Sequence, residues 1–296
     1  MNSSGTPEIS VIIATRNRAD SLRRLLPRLL ELSPGLAWEL VVVDNGSTDD
    51  TAEVLAGMAG KLRTVVEPLP GKSRALNRAM AAARGELLVF TDDDVEPDRA
   101  WLDEIAAAAR RHPEVDCFGG RINIDATHVP GWVLRSRLRQ LLTSGHDYGD
   151  VEGPYPANRF PIGPNMAVRR RALGGREDAF PVDLGPGSRI PVGDETAFFY
   201  RLGLGADKKR IYVPTAEVRH QPQAGYLTLR AALRRSWLGG YSAGFNNARY
   251  REHAGAEFKG VPVWRKVAGT RSWREFCCSS IRLLGYVVGY WRGRIS

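Results

Sequence analysis

The sequence Leu-Leu-Val-Phe-Thr-Asp-Asp-Asp occupies residues 87–94 and joins an apolar run to three consecutive carboxylates. The apolar half is typical of a buried strand. Three adjacent carboxylates repel one another, and a hard divalent cation such as Mg²⁺ or Mn²⁺ relieves that repulsion with oxygen ligands. The alternative is an acidic helix N-cap, which needs only one carboxylate. We therefore favour a metal site where this strand ends.

Strand and helix patterns alternate on both sides of this stretch. Apolar runs predict strands at 9–14, 40–43, 62–66, 87–91 and 115–119, with helices at 21–32, 47–58, 73–83 and 99–111 between them. Single helices between strands form βαβ units, so we expect an α/β fold with a mostly parallel, doubly wound sheet. Ligands of such sheets bind beyond the carboxyl ends of the strands, where the functional residues should lie.

The pattern weakens after residue 121. It predicts a short basic helix at 132–142, a strand at 161–168, a helix at 194–204 and a strand at 210–213. The loop 174–192 is punctuated by Gly and Pro and is typical of a lid. Because no linker-like segment interrupts the chain, we predict one α/β domain at 1–221 and a basic helical C-terminal extension at 222–296.

Composition narrows the class of protein. Hydrophobic residues at 43% and charged residues at 25% are globular values and exclude a disordered chain. Cys117 and the adjacent pair Cys277 and Cys278 form neither a disulfide framework nor a spaced ligand set, which favours a reducing compartment. The first residues lack the features of a secretory signal, and no apolar run approaches the ~18 residues of a membrane span. We expect a cytoplasmic protein.

Positive charge is concentrated in the last third of the chain. Residues 201–296 contain 18 basic and 5 acidic residues, whereas the whole chain carries a net charge of +9. Such asymmetry indicates a polyanionic partner, either nucleic acid or an anionic membrane surface. A solvated, arginine-rich surface explains the charge equally well.

The C-terminal extension also has an apolar stripe. Apolar residues recur at three- and four-residue steps, flanked by Arg271, Arg274, Arg282, Arg292 and Arg294. This pattern is typical of a helix lying on the cytoplasmic face of an anionic membrane, and packing on the catalytic domain or on a second subunit is the alternative. The stripe consists of Trp273, Phe276, Cys277, Ile281, Leu284, Val287, Val288 and Trp291.

Other candidate functional residues follow predicted strands and loops. Asp44 is placed to contact a ligand or to form an Asx-turn, and the loop 70–74 offers backbone amides, Lys72 and Arg74 to an anion. Neither Gly-x-x-x-x-Gly-Lys-[Ser/Thr] nor Gly-x-Gly-x-x-Gly is present, which disfavours kinase and dinucleotide functions. Asp194 and Glu195 begin a predicted helix. Either they are acidic residues that stabilise its N-terminus, or one of them is a general base. His220 is alone, and a lone His is most often structural.

Taken in order, these segments resemble family 2 glycosyltransferases with the GT-A fold. The resemblance rests on residues 9–18, 41–49, 71–77, 91–94, 163–170, 193–195 and 220, and it covers about 8–221. It implies an inverting, metal-dependent transfer of a sugar from a nucleotide-sugar donor, such as a UDP-, GDP- or dTDP-sugar, to an acceptor hydroxyl. The acceptor is expected to be a polysaccharide, glycolipid or other glycan or lipid-linked molecule.

The resemblance also implies roles for individual residues. Thr15 and Asp44 would line the nucleobase pocket beside the loop from Lys72 to Arg74, and Asp92 would hold the ribose. Mn²⁺ or Mg²⁺ would be bound by Asp94, with His220 at the metal or the diphosphate. The remaining residues predicted to contact the donor are Ala14, Arg16, Arg18 and Asp93.

The predicted base is Glu195 by position, but the family's usual Glu-Asp order is reversed here. Asp194 therefore stays a second candidate, and otherwise we expect it to cap the helix that it opens.

Two rival functions belong to other classes. A metal-dependent nucleotidyltransferase would also use an acidic cluster, but it usually has a Gly-rich first loop, which residues 14–18 are not. A non-enzymatic nucleic-acid-binding protein would explain the basic third, but its phosphates would be repelled by the acidic cluster at 92–94. We therefore expect no nucleic-acid partner, and a homodimer stays open.

Overall fold

The computed structural model describes residues 6–32, 34–156, 159–204, 210–222, 224–250, 270 and 272–295. Within these ranges, nine strands form one sheet, with helices on both of its faces. The strands are β1 (Ile9–Thr15), β2 (Trp38–Asp44), β3 (Arg63–Val66), β4 (Leu87–Phe90), β5 (Val95–Pro97), β6 (Cys117–Ile124), β7 (Gly153–Pro154), β8 (Met166–Arg169) and β9 (Ile211–His220).

The helices bury apolar faces against the sheet. Alternate residues of β1 point to opposite layers, Val11 toward α1 and α4 and Ile12 toward α3 and α7. Short 3-10 turns occur at Gly163–Asn165, Arg170–Leu173 and Ala224–Leu227. The α-helices are α1 (Ala19–Leu30), α2 (Thr51–Ala56), α3 (Lys72–Ala82), α4 (Trp101–Arg111), α5 (Gly131–Leu134), α6 (Arg139–Thr143), α7 (Asp194–Arg201), α8 (Leu229–Arg249) and α9 (Trp273–Arg294).

The sheet is parallel in its first half and mixed in its second. The strand order is β3-β2-β1-β4-β8-β6-β9-β5, with β7 also paired to β9. Strands β1 to β4 pair in parallel, as the sequence predicts, but β8 is antiparallel to both β4 and β6. A short turn at 163–165 leads into β8, so no crossover helix constrains its direction to be parallel. The second half of the sheet therefore departs from a mostly parallel arrangement.

Strand β9 is longer than the pattern predicts. The prediction ended it at Val213, before Pro214, but β9 continues to His220. Its pairing with β6 shifts after Gly120, where Val213 and then Glu217 are successive partners on β9. This irregularity accommodates Pro214, because a bulge tolerates a residue that has no amide donor. The continuation brings His220 to the edge where β5 pairs with β9.

The C-terminal helices α8 and α9 pack backbone against backbone. A Cβ on Gly240 would lie 1.9 Å from the Arg282 carbonyl oxygen, and one on Gly289 would lie 2.0 Å from that of Tyr241. A Cβ on Gly244 would likewise lie 2.1 Å from the carbonyl oxygen of Tyr286. Contacts advance along both helices in the same direction, so the two helices run parallel.

The predicted helix at 132–142 is divided into α5 and α6, which pack beside the start of α8. No helix within the described ranges combines the length and apolar character needed to cross a bilayer.

Candidate active site

The carboxylates that follow β4 point to three different partners. Asp93 is directed toward β1, where Thr15 Oγ1 donates to Asp93 Oδ2 at 2.6 Å. Arg18 Nε lies 3.7 Å from Asp93 Oδ1. Burial, reinforced by the neighbouring carboxylates, raises the pKa of Asp93 to about 6, although the Thr15 hydrogen bond and Arg18 oppose the rise. Asp93 thus links the carboxylate cluster to the end of β1.

Asp92 pairs with Lys72, the first residue of α3. Lys72 Nζ lies 2.5 Å from Asp92 Oδ1, and both side chains are partly buried. Burial alone would lower the pKa of Lys72, but the negative charges of Asp92, Glu195 and Asp194 outweigh it and raise that pKa. The cleft therefore holds a firmly charged ammonium group at the start of a helix, where anions bind well.

Asp94 faces His220, at the end of β9. His220 Nε2 lies 3.7 Å from Asp94 Oδ1, and His220 Nδ1 lies 3.1 Å from the Thr143 carbonyl oxygen. When Nδ1 donates to that carbonyl, the lone pair of Nε2 faces Asp94, which is how a carbonyl orients a metal-binding imidazole. Burial and the charge of Asp92 raise the pKa of Asp94, while His220 and Lys72 oppose the rise.

Asp94 and His220 fit a metal site in which the substrate supplies further ligands. Among the described residues, no group of three or more His, Cys, Asp or Glu side chains is arranged to hold a metal. Mg²⁺ sites commonly use one or two carboxylates and take their other ligands from water and substrate phosphates. Asp94 and His220 supply a donor set of that incomplete kind.

Glu195, in the first turn of α7, lies across the cleft from the cluster. The Gly163 amide donates to Glu195 Oε1 at 3.4 Å. A Cβ on Gly163 would lie 3.2 Å from Lys72 Nζ, 3.3 Å from Glu195 Oε1 and 3.4 Å from Asp92 Oδ1. Gly163 thus occupies the point where these three groups meet, and its place within the 163–170 motif is the sequence signal for it.

Asp194 is buried beneath the loop 174–192 and does not line the cleft as Glu195 does. It is 2% exposed, and its Oδ2 has no hydrogen-bond partner among the described residues. Burial and the adjacent charge of Glu195 raise the pKa of Asp194 well above its usual range. The prediction that Asp194 caps α7 is wrong. Gly193 occupies the N-cap with φ 88°, so Asp194 is already helical and its side chain makes no capping bond.

Helix α8 holds the turn that precedes these acidic residues. Asn246 Nδ2 donates to the Gly193 carbonyl oxygen at 2.8 Å. A Cβ on Gly193 would lie 2.7 Å from Ser242 Cβ. Sequence reasoning missed both α8 residues because no local motif marks them, and their contact with Gly193 depends on the tertiary fold.

The predicted lid loop lies against the start of α3. The Lys72 amide donates to the Pro186 carbonyl oxygen at 2.9 Å, and Ser73 Oγ donates to the Leu184 carbonyl oxygen at 2.8 Å. Gly187 has φ 82°, and a Cβ there would lie 3.2 Å from Gly71 Cα. The loop 174–192 therefore covers the amides expected to meet an anion.

Asp44 makes a local turn bond rather than the Asx-turn that the sequence allowed, because its carboxylate accepts from the Ser47 amide, three residues on, at 2.9 Å. The adjacent Asn45 joins this turn to the loop 70–74, since its Oδ1 accepts from the Gly71 amide at 2.8 Å. Beside it, Arg74 lines a groove of about 560 Å³ together with Glu67.

Ala14 and Arg16, the other residues predicted to contact the donor, lie in different environments. Ala14 is half-buried in β1, beside Thr15. Arg16 is exposed, and no hydrogen bond or ion pair of the described residues joins it to the carboxylate cluster.

The sequence pattern of Glycosyl transferase family 2 matches residues 10–175, more than half of the chain. The chain belongs to this family. Its α/β domain is therefore a glycosyltransferase domain, which decides against the nucleotidyltransferase and the non-enzymatic nucleic-acid binder. The matched segment includes the cluster at 92–94 and Gly163, whereas Glu195 and His220 lie beyond it.

Two curated relatives illustrate the family match. The chain is 29% identical to glucosyl-3-phosphoglycerate synthase of Mycolicibacterium paratuberculosis over 73% of its own length and 67% of the relative. It is 30% identical to the O-antigen biosynthesis protein RfbC of Myxococcus xanthus over 79% of its own length and 20% of the relative. Among the first curated relatives that it matches, the chain spans from 14% to 67% of their length.

A solved glycosyltransferase shares the fold. The mannosyltransferase PcManGT of Pyrobaculum calidifontis, crystallised with GDP-Man and Mn²⁺, superposes with a TM-score of 0.57. The superposition covers 98% of this chain and 88% of that one at 19% identity. The predicted GT-A architecture with a helical C-terminal part is confirmed.

Proposed function

We propose that this family 2 glycosyltransferase is an inverting enzyme that uses Mn²⁺ or Mg²⁺ to transfer a sugar from a nucleoside-diphosphate sugar to an acceptor hydroxyl. One observation carries the proposal: Lys72, Asp92 and Glu195 converge around Gly163, with the pair Asp94 and His220 at the end of the same cluster. The cleft thus combines a cation for phosphate, a carboxylate pair in an Asp-x-Asp arrangement and an opposed carboxylate for proton transfer.

The donor would lie along the carboxyl ends of β1, β2 and β4. Asp44 and Thr15 would contact the nucleobase, Asp92 the ribose and Lys72 the diphosphate. Arg18 and Arg74 add positive charge on either side. A UDP-, GDP- or dTDP-sugar suits this arrangement, and the GDP-Man bound by PcManGT supports a donor of this class.

Asp94 and His220 would hold the divalent ion, which stabilises the negative charge on the leaving diphosphate when bound. Lys72 would neutralise part of the same charge from the other side. Because its charge is maintained by Asp92, Glu195 and Asp194, it can hold the diphosphate throughout the physiological pH range.

Glu195 would take the proton of the acceptor hydroxyl as the hydroxyl oxygen forms its bond to the anomeric carbon. The bond from that carbon to the diphosphate breaks in the same displacement, which inverts the anomeric configuration. A retaining double displacement would need a nucleophilic carboxylate as well. Asp194 is buried and does not line the cleft, which leaves Glu195 as the group placed to accept the proton.

The acceptor is proposed to be a glycan or a lipid-linked precursor of a cell-surface polysaccharide or glycolipid, made on the cytoplasmic side. The relative named for O-antigen biosynthesis supports this class of acceptor.

The proposal is tested by thermal unfolding of the full chain with UDP, GDP or dTDP, with and without MnCl₂. One diphosphate should raise Tm, with a stabilisation of about 2.7 kcal/mol at 100 times its Kd, and Mn²⁺ should enlarge the shift. Assay of the matching nucleotide sugars then identifies the donor.

Asp94→Asn should lose the Mn²⁺-dependent part of the shift and the transfer activity. The matched control is Asp20→Asn, whose carboxylate is 83% exposed on α1 and should not matter. Full activity of Asp94→Asn in EDTA, or no shift with any diphosphate, contradicts the proposal.

A further inference from the structure

The last helix, α9, presents apolar side chains to solvent along one face. Two of its large side chains, Trp273 and Trp291, are each 63% exposed. They are 18 positions apart, about 27 Å along the helix axis at 1.5 Å per residue. Between them lie Phe276, Leu284, Val287 and Val288, which are also exposed, whereas Cys277 and Ile281 of the predicted stripe are half-buried.

The opposite face of α9 is occupied by α8. Gly285 and Gly289 approach α8 so closely that a Cβ on them would lie 2.4 Å and 2.0 Å from its backbone oxygens. A helix held this tightly along one side cannot rotate to bury its other side. The outward direction of Trp273, Leu284 and Trp291 is therefore built into the helix pair, and in the described part of the chain these side chains are left to solvent.

The charge around this face has one sign. Helices α8 and α9 carry eight arginines and one carboxylate, Glu275, which is 1% exposed and accepts from the Arg137 amide. With 100° between successive residues, Arg274 and Arg292 fall at one border of the apolar face and Arg294 at the other. The Arg274 guanidinium lies 5.5 Å from the ring centre of Trp273, which places cation and aromatic ring together.

We propose that α9 lies along an anionic membrane surface, with its apolar face in the interfacial region and its border arginines at the lipid phosphates. Aromatic and aliphatic side chains on the face, with arginines at its borders, match the change of polarity across that region. A second copy of the chain fits less well because it would bring two arginine borders together. Since α8 also holds the Gly193 turn, docking would fix the orientation of the catalytic carboxylates to the membrane.

The test is flotation of the full chain with vesicles of pure phosphatidylcholine or of phosphatidylcholine with 30% phosphatidylglycerol, in ~50 mM and ~500 mM NaCl. We expect flotation with the anionic vesicles that weakens in the higher salt, where charges are screened beyond a few ångströms. Leu284→Glu with Trp291→Glu should weaken binding at least about tenfold. Arg274→Ser with Arg294→Ser should weaken it about tenfold on anionic vesicles only.

The control is Val151→Glu, which adds one negative charge at an apolar residue that is 82% exposed on the sheet domain. It should float as the unaltered chain does. Equal flotation of the Leu284 and Trp291 double variant overturns the proposal, as does equal binding to neutral vesicles. If gel filtration shows that this double variant converts a dimer to a monomer, the face joins two copies and the membrane assignment fails. Circular dichroism of each variant establishes that it is folded.

Discussion

The carboxylate cluster after β4 and the helix pair α8 and α9 are held together by opposite means. In the cluster, side chains meet side chains, and two of the carboxylates have cationic partners, Asp92 with Lys72 and Asp93 with Arg18. In the helix pair, backbones meet because side chains are missing at positions such as Gly240 and Gly289, and the arginines have almost no carboxylates near them in sequence. The comparison shows that binding chemistry leaves a local trace in sequence, whereas close helix packing becomes visible only when both partners are known.

The largest expected effect belongs to the cluster. Glu195→Gln should lower kcat about 10²- to 10⁴-fold, because the amide keeps the shape of the side chain but cannot accept the acceptor proton. Binding of the nucleoside diphosphate, followed by its Tm shift, should be retained, since the proposed role of Glu195 is on the acceptor side. Transfer kinetics with a saturating donor measure the loss.

The adjacent residue provides the contrast. Asp194→Asn should keep most of kcat, because Asp194 is 2% exposed and does not line the cleft. The same transfer assay compares the two substitutions. If Asp194→Asn abolishes transfer while Glu195→Gln leaves it intact, the two roles are exchanged. If transfer survives both substitutions, the base lies elsewhere.

The helix pair should instead lose stability. Gly289→Val should cost about 3 kcal/mol or more, since its Cβ would lie 2.0 Å from a backbone oxygen on α8 and overpacking against backbone cannot relax easily. Leu284→Ala, on the exposed side of the same helix, should change stability by less than about 0.5 kcal/mol. Urea unfolding measures both. Loss of the nucleotide-induced Tm shift in Gly289→Val would break the comparison, because it would show that the cluster depends on the helix pair.

Lowering the pH should reduce the stability of the sheet domain through the titration of His146. Burial lowers the pKa of this imidazole to about 4. Between pH 6.5 and pH 4 the unfolded chain therefore binds a proton that the folded chain does not, and stability falls as pH drops through this window, by about 3 kcal/mol. His146→Gln should remove that part of the pH dependence. Gly289→Val should keep it, so unfolding free energies at pH 7 and pH 4.5 separate the two regions.

The smallest effect is expected at the donor pocket. Asp44→Ala should raise the donor KM about tenfold, or about 1.4 kcal/mol, with less effect on kcat, because its proposed donor contact is away from the reacting bond. Asp44→Asn keeps an acceptor for the Ser47 amide and so separates the local turn bond from the proposed donor contact. An unchanged KM in both variants argues against Asp44 in the pocket.

The sequence predicted the first half of the sheet, and which residues lie at its carboxyl edge, better than it predicted the second half. Strands β1, β2 and β4 contain buried apolar runs, and Thr15, Asp44 and the cluster lie at their carboxyl ends. Residues 122–165 have no clear period, so the antiparallel entry of β8 was not visible. Pro214 hid the continuation of β9, because a bulge that tolerates proline depends on the neighbouring strand. Asn246 and the glycines of α8 contact residues that are distant in sequence, so no local pattern marks them.

The contact between the loop 174–192 and the start of α3 has a kinetic consequence. The amide of Lys72 already donates to a carbonyl of the chain itself, that of Pro186. Any phosphate oxygen that uses this amide must displace the carbonyl first, so the loop behaves as an internal competitor of the donor. Its off-rate then sets an upper limit on the speed of donor capture at this amide. Changes that strengthen the contact between Gly187 and Gly71 would slow that exchange while leaving every side chain of the donor pocket in place.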